Sequence, residues 1–269
     1  MEVRLSIIIS TINSRIGKLE SEWYPCLEGI EYILVWQKPL GNEPAWIEKR
    51  SDFSLLRSEE AGLAKSRNLG IAKSHGDVCY IADDDVRFDS WGLKSLLSEL
   101  DTSTEDFYVV KVRGSLGAPF RDYRSFSPVM FEGKRFVLSI CSVEMCFRKK
   151  VWNSVKFNEK IGLGTDFPIG EDTLFSFQAY NKGFKFKLSH VFVAKLLDDN
   201  HTGSSRDCRV LFSQGVFAAY IWSKNPLFWG KKIMELMRDM VFFKSYRRFY
   251  YYGIVSYLLY KRELILKYF

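Results

Sequence analysis

Three consecutive carboxylates, Asp83-Asp84-Asp85, follow the apolar run Val78-Cys79-Tyr80-Ile81-Ala82. Such a cluster is costly unless positive charge neutralises it. A hard divalent cation, Mg²⁺ or Mn²⁺, takes carboxylate oxygens and also bridges phosphate oxygens. Taken alone, the triplet equally suits a solvated acidic turn. Upstream, Gly62-Leu63-Ala64-Lys65-Ser66-Arg67-Asn68 puts a glycine and two cations at the start of a helical pattern. A helix N-terminus with cations beside it favours phosphate, although Lys65 and Arg67 also suit a solvated outer face. Downstream, Glu171-Asp172 opens another helical stretch after the Gly162-Leu163-Gly164 loop. A positioned carboxylate can take the proton of an attacking hydroxyl. The same pair, read blandly, is an acidic first turn worth about 1 kcal/mol or less. His201 lies in Asn200-His201-Thr202-Gly203-Ser204, and imidazole with carboxylate suits Mn²⁺ better than Mg²⁺.

These residues need strand ends and helix starts to hold them. Leu5–Ser10, Glu31–Trp36, the weaker Phe53–Arg57 and Asp77–Ala82 are short, apolar runs expected as strands. Residues 13–29 are expected as a crossover helix. Leu63–Ser74 is expected as a helix whose face carries Ala64, Asn68, Ile71 and Ala72, stopped at His75-Gly76. Leu93–Leu100 reads as a further helix. Strands are expected at Phe107–Val112, Phe136–Ser142, Val143–Arg148, Phe184–Leu188 and Val191–Leu197, with a helix over Thr173–Asn181 closed by Gly183. Alternation of strands and helices implies an α/β fold with a mostly parallel central sheet flanked by helices. Ligands bind beyond the carboxyl ends of such strands, where the aspartates fall.

With those segments in place, residues 5–90 resemble the nucleotide-binding half of family 2 glycosyltransferases, which have the GT-A fold. The resemblance rests on order and spacing: Ile7-Ile8-Ile9-Ser10-Thr11, then Gly62 through Arg67-Asn68-Leu69-Gly70, then Tyr80-Ile81-Ala82-Asp83-Asp84-Asp85. It implies a nucleotide-diphosphate sugar donor, a UDP-sugar, and a glycan or lipid-linked acceptor. Asp83 would meet the donor ribose, an ordered water or the cation, and Asp84 would also face the donor. Asp85 would bind the cation gripping the diphosphate, and Thr11 would line the nucleoside pocket. Lys65 and Arg67 would lie beside the base or phosphates. Where family members often carry an aspartate after the second strand, this chain has Gln37, which can hydrogen-bond a uracil edge. The resemblance makes Asp172 the general base, gives Glu171 the orienting of acceptor or loop, and lets His201 complete the cation site. The implied reaction is a single displacement with inversion at the anomeric carbon.

Composition sets the frame. The 269 residues are 47% hydrophobic and 26% charged, enough for a sizeable core. Five cysteines form no CxxC pair, which suits a reducing compartment. With no secretory leader pattern, the expected location is the cytoplasm, at the inner face of the membrane if the tail binds lipid. The chain is expected to divide into a catalytic domain over 1–223 (nucleotide-binding half 1–105, acceptor half 106–223) and a basic, aromatic, helical tail over 224–269. That tail carries ten Lys/Arg against three Asp/Glu, so it accounts for the whole net charge of +7. Basic and aromatic residues interleaved on helices suit an anionic lipid surface; an appendage packed on the catalytic body is the alternative. No named nucleic-acid module accompanies the tail, which argues against nucleic acid. Two other functional readings compete: a sugar nucleotidyltransferase, and a non-catalytic nucleotide- or membrane-binding protein of the same fold.

Overall fold

The computed structural model describes residues 4–123, 137–198, 207–223, 248–259 and 264. His201 and most of the 224–269 tail lie outside them. Chain contacts divide the protein into two units. The larger comprises Met1–Phe157 and Asp172–Asp199; the smaller comprises Asn158–Glu171 with the described parts of 200–269.

The larger unit is built on eight strands: β1 (Leu5–Ile12), β2 (Ile30–Gln37), β3 (Phe53–Ser58), β4 (Val78–Asp83), β5 (Val86–Phe88), β6 (Phe107–Arg113), β7 (Met145–Arg148) and β8 (Phe186–Leu196). They form one sheet in the order β3-β2-β1-β4-β7-β6-β8-β5. The first four run parallel. β1, β2 and β4 are largely apolar and almost wholly buried because both of their faces are covered, whereas the edge strand β3 is partly exposed. Antiparallel β7 then joins β4 to β6, β8 runs parallel to β6, and β5 runs antiparallel to β8. The sheet is therefore mixed, parallel through its N-terminal half and of both pairings beyond β4. Two apolar layers cover it, one around Ile7, Tyr32, Tyr80 and Leu96, the other around Ile8, Ile33, Ile81 and Phe175.

Short α1 (Ala45–Glu48) precedes β3. Helix α2 (Leu63–Lys73) lies close on the sheet because Gly70 has no side chain; a Cβ there would come within 2.4 Å of Ile8 Cγ2. Its buried face is Ala64, Arg67, Gly70 and Ile71, whereas Ala72 is exposed. The close approach at Gly70 turns the helix from the expected face. It ends at Ser74, whose hydroxyl donates to the Ile71 carbonyl, one residue before the expected His75-Gly76 stop. Helix α3 (Ser90–Thr102) is capped by Asp89, which accepts from the Gly92 amide at 2.6 Å, and buries Leu93, Leu96, Leu97 and Leu100. Helix α4 (Lys149–Ser154) follows β7, and α5 (Glu171–Asn181) starts at the expected acidic pair.

Three local expectations fail. Residues 13–29 form two short 3₁₀ segments, Asn13–Lys18 and Ser21–Trp23, rather than a crossover helix. Asn13 adopts φ 51°, and buried Ile16 and Leu19 repeat at three residues, the 3₁₀ period. The described part of 136–142 is not a strand. It leads into a 3₁₀ turn at Ser142–Glu144, where the buried Glu144 carboxylate accepts the Cys141 amide at 3.1 Å. Segments 184–188 and 191–197 merge into the single strand β8.

In the smaller unit, Gly162, Gly164 and Gly170 all have positive φ, and Thr165 Oγ1 donates to the Gly162 carbonyl at 2.9 Å to tighten the turn. Two helices, α6 (Cys208–Ser223) and α7 (Arg248–Leu259), pack together. Among the described residues no helix is long and apolar enough to cross a membrane.

Candidate active site

The β1–β4 register sets Asp83 opposite Ser10 at the carboxyl end of the parallel strands. Asp83 ends β4, and Asp84 and Asp85 form the turn into β5. The three acids have different surroundings. Asp84 is buried; Oδ2 accepts from Thr11 Oγ1 at 2.7 Å and from Arg15 Nε at 2.8 Å, while a terminal Arg15 nitrogen pairs with Oδ1. Asp83 is half-buried and meets Arg67 at 3.2 Å. Asp85 takes no hydrogen bond or ion pair from the side chain of another described residue, and its carbonyl accepts the Leu197 amide at 2.8 Å. Burial, then the charges of Asp83 and Asp84, push the Asp85 carboxyl up to about 6.

Arg67 organises the site. Only 1% of its surface is exposed, and a buried guanidinium requires acidic partners. It pairs with Asp83, lies 5.6 Å from the Phe157 ring centre, and acts electrostatically on Asp172. The Asp172 carboxyl is raised by burial and by Asp83, against the lowering effect of Arg67 and hydrogen bonds from Thr173. Its Oδ1 accepts the Thr173 amide at 2.7 Å. The acidic triplet and the acid of the second half, 87 residues after Asp85 in sequence, thus share one cation.

The rest of the Arg67 motif is scaffold. Asn68 donates to the Phe157 carbonyl at 2.8 Å and accepts from Trp152 Nε1 at 3.0 Å and the Phe157 amide at 3.1 Å. It fastens α2 to the chain beyond α4. Gln37 is buried and engaged at both ends: Oε1 accepts the Gly62 amide at 2.8 Å, and Nε2 donates to the Thr11 carbonyl. Its hydrogen-bonding groups fix the start of α2. Lys65 pairs with Glu60 on the surface. In the smaller unit Glu171 is buried against Gly162, where a Cβ would approach its carboxyl group to 3.1 Å.

Sequence reasoning missed Arg15, which lies in a segment read as an ordinary helix. It also missed the buried Glu144, which pairs with Arg121 at 2.8 Å and accepts from Tyr123 at 2.8 Å. Burial raises Glu144; Arg121 opposes the shift and Asp172 adds to it. No local signal marks either residue.

A divalent cation at these acids would have to take part of its coordination from ligand oxygens. Among the described residues no three His, Cys, Asp or Glu side chains are grouped so that they could hold a metal ion by themselves. Asp85 is nonetheless a half-buried carboxylate whose ionisation neighbouring negative charges oppose. One or two carboxylates plus phosphate oxygens are the usual environment of Mg²⁺.

Residues 6–184 match the family described as glycosyl transferase family 2. The chain belongs to that family. Solved structures with similar folds include S. aureus TarS 1-349 at 17% identity and TM-score 0.58, over 82% of this chain and 66% of that one. S. aureus TarS matches at 18% and 0.59 over 82% and 40%, and TarS 1-349 in complex with UDP-GlcNAc at 18% and 0.56 over 80% and 66%. These likenesses establish the GT-A fold for this family 2 chain, which spans less than two thirds of the length of each of those chains. No curated protein matches it.

Proposed function

We propose that this family 2 protein transfers a sugar from a UDP-sugar to a hydroxyl of a glycan or lipid-linked acceptor, by single displacement with inversion. The observation that carries the reading is Arg67, whose buried charge serves both Asp83 and Asp172. That arrangement suits a donor held at the β4 end beside an acceptor hydroxyl facing Asp172. The complex of S. aureus TarS 1-349 with UDP-GlcNAc supports a nucleotide-sugar donor.

Asp172 is the general base. A carboxyl raised by burial is a better proton acceptor than an exposed one once ionised, and Arg67 keeps the ionised form accessible. The C–O bond to the diphosphate breaks as the acceptor oxygen bonds to the anomeric carbon, and the hydroxyl proton passes to Asp172. Asp83 and Asp85, with His201, would hold Mg²⁺ or Mn²⁺. When bound, the cation supplies charge neutralisation on the leaving diphosphate. Arg15 and Thr11 hold Asp84 and so fix the triplet, and Glu171 supports the Gly162 loop.

The test is hydrolysis of a nucleotide-sugar panel with and without Mn²⁺, in wild type, Asp85→Ala and Asp172→Asn. Metal-dependent release of UDP from one donor, lost in Asp85→Ala, supports the reading. Net synthesis of a sugar nucleotide from a triphosphate would replace it with a nucleotidyltransferase. Absence of turnover, with wild type and Asp85→Ala equal in metal and nucleotide binding, would overturn it.

A further inference from the structure

Helices α6 and α7 are joined by two reciprocal glycine contacts. A Cβ on Gly215 would come within 1.8 Å of the Tyr250 carbonyl oxygen, and one on Gly253 within 2.1 Å of the Phe212 carbonyl oxygen. Both positions therefore require glycine, and the contacts fix which face of α7 turns inward. Gly253, Ile254 and Tyr257 lie on that face, and Ile254 and Tyr257 are buried. The opposite face carries Tyr252, Val255, Leu258 and Leu259, exposed at 57%, 49%, 51% and 70%. At about 100° per residue these four span an arc of roughly 120°.

A surface helix normally presents polar residues on its outer face. From Phe249 to Tyr260 this chain has no charged residue, and in sequence an excess of cations flanks the run: Lys244, Arg247 and Arg248 before it, Lys261 and Arg262, followed by Glu263, after it. The 12 residues of α7 extend about 18 Å, short of the roughly 30 Å of a bilayer core. A helix that is too short to span, apolar outside and flanked in sequence by basic residues suits the plane of an anionic membrane surface. Its tyrosines are also at home at the headgroup level.

We infer that the outer face of α7, formed by Tyr252, Val255, Leu258 and Leu259, seats in the surface of an anionic lipid bilayer. Charge favours lipid over a second copy of this chain. In sequence the apolar run is flanked on both sides by an excess of Lys and Arg, which anionic headgroups complement and a second copy of the same run does not. The inference does not depend on the proposed donor or on the acid site.

Flotation of the full chain with vesicles of phosphatidylcholine, with and without 30% phosphatidylglycerol, tests it. Wild type is expected to float with the anionic vesicles and to be released as salt rises. Val255→Glu/Leu259→Glu should lower the bound fraction by roughly tenfold while leaving donor hydrolysis unchanged. If that variant fails to fold, Tyr252→Trp gives a second readout: its emission should shift to the blue on adding anionic vesicles and not on adding neutral ones. Equal flotation of wild type and the double-glutamate variant would overturn the inference. So would absence of flotation with wild type dimerising through this face, or an unshifted Tyr252→Trp emission.

Discussion

The two halves of the sheet were built under different constraints. β3, β2, β1 and β4 run parallel, the inner three buried on both faces, and each is a short local pattern. β7, β6, β8 and β5 mix antiparallel pairs with the parallel pair β6–β8 and join strands far apart in sequence, with register shifts near Lys111. The first half supplies an acidic strand end, and the second supplies Asp172. Arg67 and Asn68, adjacent on α2, join them: one reaches Asp172 by charge, the other holds the chain beyond α4 by hydrogen bonds. The difference teaches that an acidic strand end can be assembled locally, whereas the carboxylate proposed as the base has to be brought to it by the tertiary fold.

The most severe way to probe that division is Asp172→Asn. It should lower kcat for transfer by about 10²–10⁴-fold and leave the KM for the donor nearly unchanged, as steady-state kinetics would show. An equal rise in KM would place Asp172 in donor binding and erase the distinction between the halves.

Asp85 offers a stability test with the opposite sign to the usual loss. Its carboxyl is raised from 3.8 to about 6 in the fold, so the folded chain holds that proton more tightly than the unfolded chain. Without a cation, stability should therefore fall as pH rises from about 4 to about 6, by up to about 3 kcal/mol. Asp85→Asn should lack this fall and be more stable than wild type at pH 7 while losing turnover. Urea titrations of both proteins across that pH range measure the widening gap, and a constant gap would remove the strain assigned to the acid turn.

Asn68→Ala tests the fastening between the halves. It removes three hydrogen bonds and leaves Trp152 Nε1 and the Phe157 backbone without this partner, at a cost of roughly 2–3 kcal/mol. A shift in the urea midpoint at constant m is expected. A change below 0.5 kcal/mol would show that the halves hold together without it.

The smallest effect lies wholly in the parallel half. Burial would raise Glu31, but hydrogen bonds from Ser6 and from the His75 amide and ring hold its carboxyl below the ordinary value of 4.5. Its contribution should be complete above that value and lost as pH falls through the depressed folded-state range. Glu31→Gln should cost about 1 kcal/mol at neutral pH, with the gap from wild type closing in acid and catalysis untouched.

What was legible in the chain follows the same division. The four parallel strands, α2, α3 and the acid triplet could be read because apolar runs and short spacings encode them. The 3₁₀ passage after β1 was misread because mixed polarity resembles a helix unless the period of three at Ile16 and Leu19 is weighed. The uses of Arg15, Gln37 and Glu144 were illegible, since each depends on partners dozens of residues away or on a turn that places the side chain. Asp172 was found through family resemblance; its tie to Arg67 required the fold.

Under the proposed reaction, Arg15 and Arg67 also bear on the order in which ligands arrive. Four acidic side chains, Asp83, Asp84, Asp85 and Asp172, stand with two guanidiniums, so the acids outnumber their fixed cations by two. A bare diphosphate approaches this cluster against repulsion, while one divalent ion offsets the excess. Under the proposed metal-assisted reaction, encounter should therefore be sequential: ion first, or ion and nucleotide together. Initial-rate patterns with both concentrations varied should carry that compulsory order, and the two guanidiniums reduce the imbalance to what a single divalent ion can correct.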